Sequence, residues 1–203
     1  MVTSPSARGE YTKSVERRRE IIAAAVEVFS VAGFHKGSLR DVAKRAGLTQ
    51  AGVLHHFPSK NHLVKAVLTW RDEQAREAIG DAARVGGLTY IRAMVGLVDA
   101  NQRETPELAE LYAVLSAEAT SHSHPAHDYF AERYAWVLDA VQTAFEDVAE
   151  AGHLRPGVDP PDAARWMLAM VDGLQIQWLY SRKSVDMTVE LRRFLQTLLT
   201  VDL

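Results

Sequence analysis

The spacing of the apolar residues constrains this chain more than anything else in it. Between residues 126 and 151, Phe130, Tyr134, Val137, Leu138, Val141, Phe145 and Val148 recur every three or four positions, the repeat that gathers side chains on one face of a helix. No segment alternates apolar and polar residues with period two, so no strand is expected. The expected fold class is all-α, with helices delimited by capping and breaking residues.

That punctuation marks out about nine helices. Residues 1–13, rich in Ser, Pro, Gly and charge, read as a flexible arm. A helix begins at Ser14, presents Ile22, Val26 and Phe29 on one face, and ends at Gly33. Ser38-Leu39-Arg40-Asp41 has capping-box spacing, with Asp in place of Glu or Gln, and opens a short helix to Ala46. Gly47 stops it. Thr49 caps a helix over 50–57, Pro58 ends that one, and Ser59 caps a long helix from Lys60 to Arg84. Gly86-Gly87 interrupts the chain, and further helices are expected over 88–102, 106–120, 126–151, 160–180 and 186–201.

The 203 residues suffice for a sizeable core, and their net charge of −3 conceals an asymmetry. Residues 1–70 carry 11 Lys and Arg against 5 Asp and Glu, whereas residues 71–203 carry 12 against 21. A basic front suits a polyanion that an acidic back repels. There is no cysteine, which excludes disulfides, thiolate metal ligands and thiol catalysis and accords with a reducing compartment. No apolar run approaches the roughly 18 residues of a membrane span. The N-terminus lacks the apolar block of a secretory signal. A cytoplasmic location with no membrane partner is expected.

Residues 38–57 form a helix, a tight turn at Gly47-Leu48-Thr49 and a second helix, the geometry of a helix-turn-helix. The second helix would enter the major groove of double-stranded DNA. Here the chain resembles the TetR/AcrR family of bacterial transcriptional regulators, through residues 21–67. Ala25, Phe29, Gly33, Phe34, Ser38, Val42 and Ala43 fall in the family's register, as do Ala46, Gly47, His56, Phe57, Ser59, Lys60 and Leu63. The resemblance implies a DNA-binding domain over 14–58 and a ligand-binding and dimerisation domain over 59–203. Where the family commonly carries Tyr in the recognition helix, this chain has Leu54. The usual hydroxyl-to-phosphate bond is lost there, and Leu54 is left to touch a thymine methyl or the scaffold.

Roles follow from position. Gln50, Ala51 and Gly52 begin the recognition helix, where Gln can pair with adenine and the two small residues admit close approach. Ser38 and Thr49 are caps whose hydroxyls and neighbouring N–H groups can face phosphates. Arg40 reaches a base or phosphate, His55 faces the DNA backbone, and Lys60 clamps a phosphate. His55 and His56 are adjacent and so diverge on a helix, which argues against a shared metal. His122, His124 and His127, with Glu118 and Asp128 nearby, have the right chemistry for zinc or nickel. The plainer reading is a polar loop before a helix with Pro125 at its first position, and no metal or other cofactor is expected. GxSxG, HExxH, P-loop and GxGxxG patterns are all absent, so no enzyme is expected.

A dimer reads two half-sites of a palindromic operator. The resemblance implies an interface built from the last two helices, and their apolar surface exceeds what one face needs. Trp166, Met167, Met170, Leu174 and Trp178 are the candidates on one helix, with Leu191, Phe194, Leu195 and Leu198 on the other. The resemblance also implies a pocket in the middle helices for a small effector that releases DNA. Trp70, Met94, Leu97, Tyr112 and Leu115, then Glu118, Trp136, Trp166, Met170 and Gln175, are candidate lining residues, which suit a mostly apolar ligand. The expected function is a repressor.

Overall fold

The structure, a computed structural model, describes residues 7–203, with side chains from Thr12 onward. Ten helices form among the described residues: α1 (Ala7–Lys36), α2 (Leu39–Arg45), α3 (Gln50–His56), α4 (Lys60–Ile79), α5 (Ala82–Val85), α6 (Gly87–Arg103), α7 (Pro106–Glu118), α8 (His127–Glu150), α9 (Pro160–Tyr180) and α10 (Met187–Leu198). Among the described residues the only extended pairing is an isolated bridge between Leu154 and Leu199.

Several boundaries differ from expectation. The first helix starts at Ala7, so residues 7–13 are helical rather than part of an arm; residues 1–6 lie outside the described residues. Gly33 breaks its regularity at φ 66°, and a further turn carries the chain to Lys36. The long fourth helix stops at Ile79 because Gly80 turns to φ 50°, which makes Ala82–Val85 a separate helix and raises the number to ten. The eighth helix starts at His127, leaving Pro125 before it rather than at its first position.

Two apolar clusters hold the helices together. The first joins Ile21, Ala25 and Phe29 of α1 to Val42 of α2 and to Val53 and Phe57 at α3. It continues without interruption into Leu63 and Val67 of α4 and Leu111 and Leu115 of α7. The expected domain boundary at 58/59 therefore falls inside one continuous core. The second cluster packs α6, α8, α9 and α10 around Ile91, Val141, Phe145 and Met167. Each fully buried side chain of this size stabilises the fold by about 1.5–3 kcal/mol.

The second cluster corrects the expected interface. Met167, Leu174, Trp178, Leu191, Leu195 and Leu198 are at most 5% exposed. Helices α9 and α10 pack against α6, α7 and α8, and these six residues belong to that core. Of the nine candidates, Trp166, Met170 and Phe194 keep accessible surface. Ile176, Tyr180 and Val189 on the same two helices are exposed and were not anticipated.

Candidate nucleic-acid interface and ligand cavity

The reader is built from its caps outward. The Ser38 hydroxyl accepts the Asp41 N–H at 3.1 Å and donates to Asp41 Oδ2 at 2.5 Å. The short Asp side chain thus ends on the hydroxyl instead of returning to the backbone. After α2, Leu48 N–H donates to the Ala43 carbonyl at 2.8 Å and Gly47 N–H to that of Lys44 at 3.3 Å. That paired closure needs a left-handed residue, and Gly47 supplies it at φ 66°. Thr49 Oγ1 then accepts the Gly52 N–H at 3.1 Å to start α3.

This frame sorts the sides of α3. Val53 and Phe57 are buried, while Gln50, Ala51, Leu54 and His55 are exposed and Gly52 is half-buried. Ser38, Arg40, Lys44 and Leu48 share an open groove with Gln50, so α2 supplies charge beside the reading face. At the far end, Arg18 donates to the His56 carbonyl at 2.6 Å and covers the Phe57 ring at 4.2 Å. Sequence reasoning missed this anchoring role, because Arg18 sits within a run of three arginines and nothing in the run singles it out. The His55 and His56 rings meet edge to face at 5.3 Å. Burial, aided by His55, Arg18 and Arg17, lowers the His56 pKa.

Lys60 departs from its expected place. Its ammonium lies 4.3 Å over the Phe34 ring and donates to the His35 carbonyl at 3.4 Å. Burial lowers its pKa against the opposing charge of Glu118. It is turned toward the junction between α1 and α4, and so is withdrawn from the phosphate-clamping set.

That junction has its own architecture. Glu118, at the end of α7, accepts the Phe34 N–H at 2.7 Å. His124 Nε2 lies 3.9 Å from the same carboxylate oxygen, and its Nδ1 accepts the Ala126 N–H at 3.2 Å. The His124 pKa is lowered, chiefly by burial, with His35 and Lys60 adding to the effect and Glu118 opposing it. His122 and His127 stack at 4.3 Å, and His127 Nδ1 is taken by the Ala119 carbonyl at 2.8 Å. Among the described residues no group of three His, Asp or Glu is placed to hold a metal.

Between α4, α6, α7, α8 and α9 lie two adjoining cavities. One, of about 70 Å³, is lined by Arg71, Tyr112, Arg133, Tyr134, Asp172 and Gln175 among others. The other, of about 410 Å³, is bounded by Tyr90, Trp136, Ala140 and Ala144. They share Met94, Leu97, Arg133 and Val137. Of the ten expected lining residues, Met94, Leu97, Tyr112, Trp136 and Gln175 border these cavities. The other five lie elsewhere. Trp70 lines an outer groove beside α1, Leu115 is fully buried in the first core, and Glu118 serves the junction. Trp166 is 44% exposed, and Met170 faces a groove between α9 and α10.

The polar wall of the cavity was not anticipated. Arg133 Nε donates to Asp72 Oδ1 at 2.9 Å, and the Tyr129 hydroxyl donates to Asp72 Oδ2. The Tyr134 hydroxyl donates to Asp172 at 2.8 Å, and burial raises the Asp172 pKa. These residues lie on amphipathic helices, where a polar position reads as solvated surface until the neighbouring helix is known to cover it.

The family model described as bacterial regulatory proteins, tetR family, matches residues 21–67, and the model for the C-terminal region of BetI-type transcriptional repressors matches residues 89–200. The transcriptional regulator TtgR of Pseudomonas putida is 27% identical over 194 residues, covering 90% of this chain and 89% of its own. A TetR-family regulator from Agrobacterium tumefaciens shares the fold, with TM-score 0.79 and 19% identity over 92% of this chain and all of its own. So does a protein from Saccharomonospora viridis solved in complex with choline, with TM-score 0.73 and 21% identity over 92% of this chain and all of its own. With a helix-turn-helix at its front and a matching helical domain behind it, the chain belongs to the tetR family of bacterial regulatory proteins.

Proposed function

We propose that this chain is a repressor that binds a palindromic operator as a dimer and leaves it when a small molecule occupies the cavity between α4 and α9. The observation that carries this reading is the exposed N-terminal half of α3, held on a turn closed by three backbone and cap hydrogen bonds. In this reading Gln50, Ala51, Gly52 and Leu54 meet base edges, while Arg40, Lys44, Thr49 and His55 meet the backbone. Trp166, Met170, Ile176 and Tyr180 of α9, with Val189 and Phe194 of α10, form the dimer surface. Helix α7 couples the two ends, since it carries Tyr112 at the cavity and Glu118 on the Phe34 N–H. A ligand with different affinity for two arrangements of α7 would shift the reader between them.

The choline of the Saccharomonospora viridis protein does not transfer readily to this chain. Two of the cavity's aromatic rings already carry the chain's own guanidinium groups, Arg71 and Arg133 over Tyr112 and Arg76 over Trp136. Selection of duplexes from a random-sequence pool by the full chain tests the reading. Enrichment of an inverted repeat is expected, and failure to enrich any duplex sequence would overturn it.

A further inference from the structure

We infer that the cavity takes an amphipathic organic anion, with a carboxylate or similar oxyanion head at Arg71 and Tyr112 and an apolar body along Met94, Leu97 and Trp136. The inference rests on reading this cavity as the effector site.

Arg71 is 7% exposed, and its Nη1 is buried without a hydrogen-bond partner. The nearest carboxylate oxygen, Asp72 Oδ1, is 3.5 Å away and already accepts Arg133 Nε at 2.9 Å. The other Asp72 oxygen is taken by the Tyr129 hydroxyl. The Tyr112 hydroxyl is likewise buried without a partner, and its ring carries Arg71 at 4.2 Å and Arg133 at 4.5 Å. Two unpartnered polar groups thus line one cavity, and both can donate. A buried donor left without an acceptor is costly, the more so when it is charged. An oxyanion supplies the acceptors and offsets the charge, and planar recognition of a carboxylate is what a guanidinium does best.

The counter-charges present leave room for it. Asp72 is shared between Arg133, Arg71 and Tyr129, and Asp172 is engaged by the Tyr134 hydroxyl. Next to this head site, the larger cavity offers about 410 Å³ bounded mainly by apolar side chains, within the range of roughly 300–1,000 Å³ of ligand sites. Arg133 stands at the junction of the two. A ligand charged at one end and apolar at the other matches that order. A cation meets two guanidinium groups held against the Tyr112 ring.

Calorimetric titration of the full chain with octanoate, 1-octanol and octyltrimethylammonium, matched in their apolar part, tests the inference. Octanoate should bind at least about tenfold tighter than either of the others, as expected for hydrogen bonds between charged groups. Tyr112→Phe removes a hydroxyl that has no partner within the protein, so the fold is retained, and octanoate should weaken several-fold while octanol does not. Equal or tighter binding of octanol or the ammonium overturns the anion and leaves the cavity as a ligand site. Unchanged octanoate affinity in Tyr112→Phe overturns the assigned head position. No binding of any of the three overturns both the inference and the effector-site reading beneath it.

Discussion

Arg40, Gln50 and Lys60 all lie near the reading face, yet their substitutions should separate cleanly. Gln50→Ala should alter which duplex is preferred, costing roughly 1–3 kcal/mol on the preferred sequence. Arg40→Ala should weaken binding to every duplex and lower the log–log salt slope by about 1. Lys60→Met should leave that slope unchanged, because its ammonium already faces the Phe34 ring and the His35 carbonyl. Fluorescence titrations at several salt concentrations separate the three. Lys60 also marks a limit of the sequence. Its position at a helix start was legible, but its direction depends on Phe34 and Glu118, which lie far from it along the chain.

His124 makes a prediction at the same scale. Its folded pKa lies below the unfolded value of about 6.5, so the unfolded chain takes up its proton first. The stabilisation is full above that value and is lost as pH falls through the folded pKa. The melting temperature of the protein should therefore decline more steeply between pH 7 and 5 than that of His124→Asn. Parallel curves would assign the acid sensitivity elsewhere, with His56 next in line.

Among the elements, short helices depend on their ends. The seven residues of α3 form just under two turns, so Thr49→Ala should cost about 1 kcal/mol of folding stability and weaken operator binding through a frayed α3. Denaturant unfolding measures the first and titration the second. Elements of this kind were largely legible, because Ser38, Gly47, Thr49 and Ser59 act on their immediate neighbours and their types are characteristic. The break of the fourth helix at Gly80 was not, since a lone glycine is tolerated within helices and only the left-handed turn it adopts here ends α4. Arg71, Asp72 and Arg133 were equally hidden. They face one another only because α4 and α8 are apposed, a relation across some sixty residues that no local spacing expresses.

Across the whole molecule, the same blindness explains why buried residues were among the interface candidates. Apolar periodicity in α9 and α10 does not say which side meets the subunit's own core and which is left over. The structure assigns Leu191 and Leu195 to the core and leaves Tyr180 89% exposed and Trp166 44% exposed. Replacing both, as Trp166→Asp with Tyr180→Asp, removes no core contact of this weight and should keep the helical fold. In sedimentation velocity the variant should run as a monomer while the parent chain runs as a dimer, and an unchanged dimer would move the interface to another surface.

In the proposed assembly, two exposed α3 helices held at a fixed separation by a dimer read DNA in sequence. Hydroxyl-radical footprinting of the full chain on a duplex it selects tests this most directly. Two protected patches on one face of the duplex, about one helical turn apart and related by a two-fold axis, are predicted. Uniform protection independent of sequence, or a single patch, would contradict it.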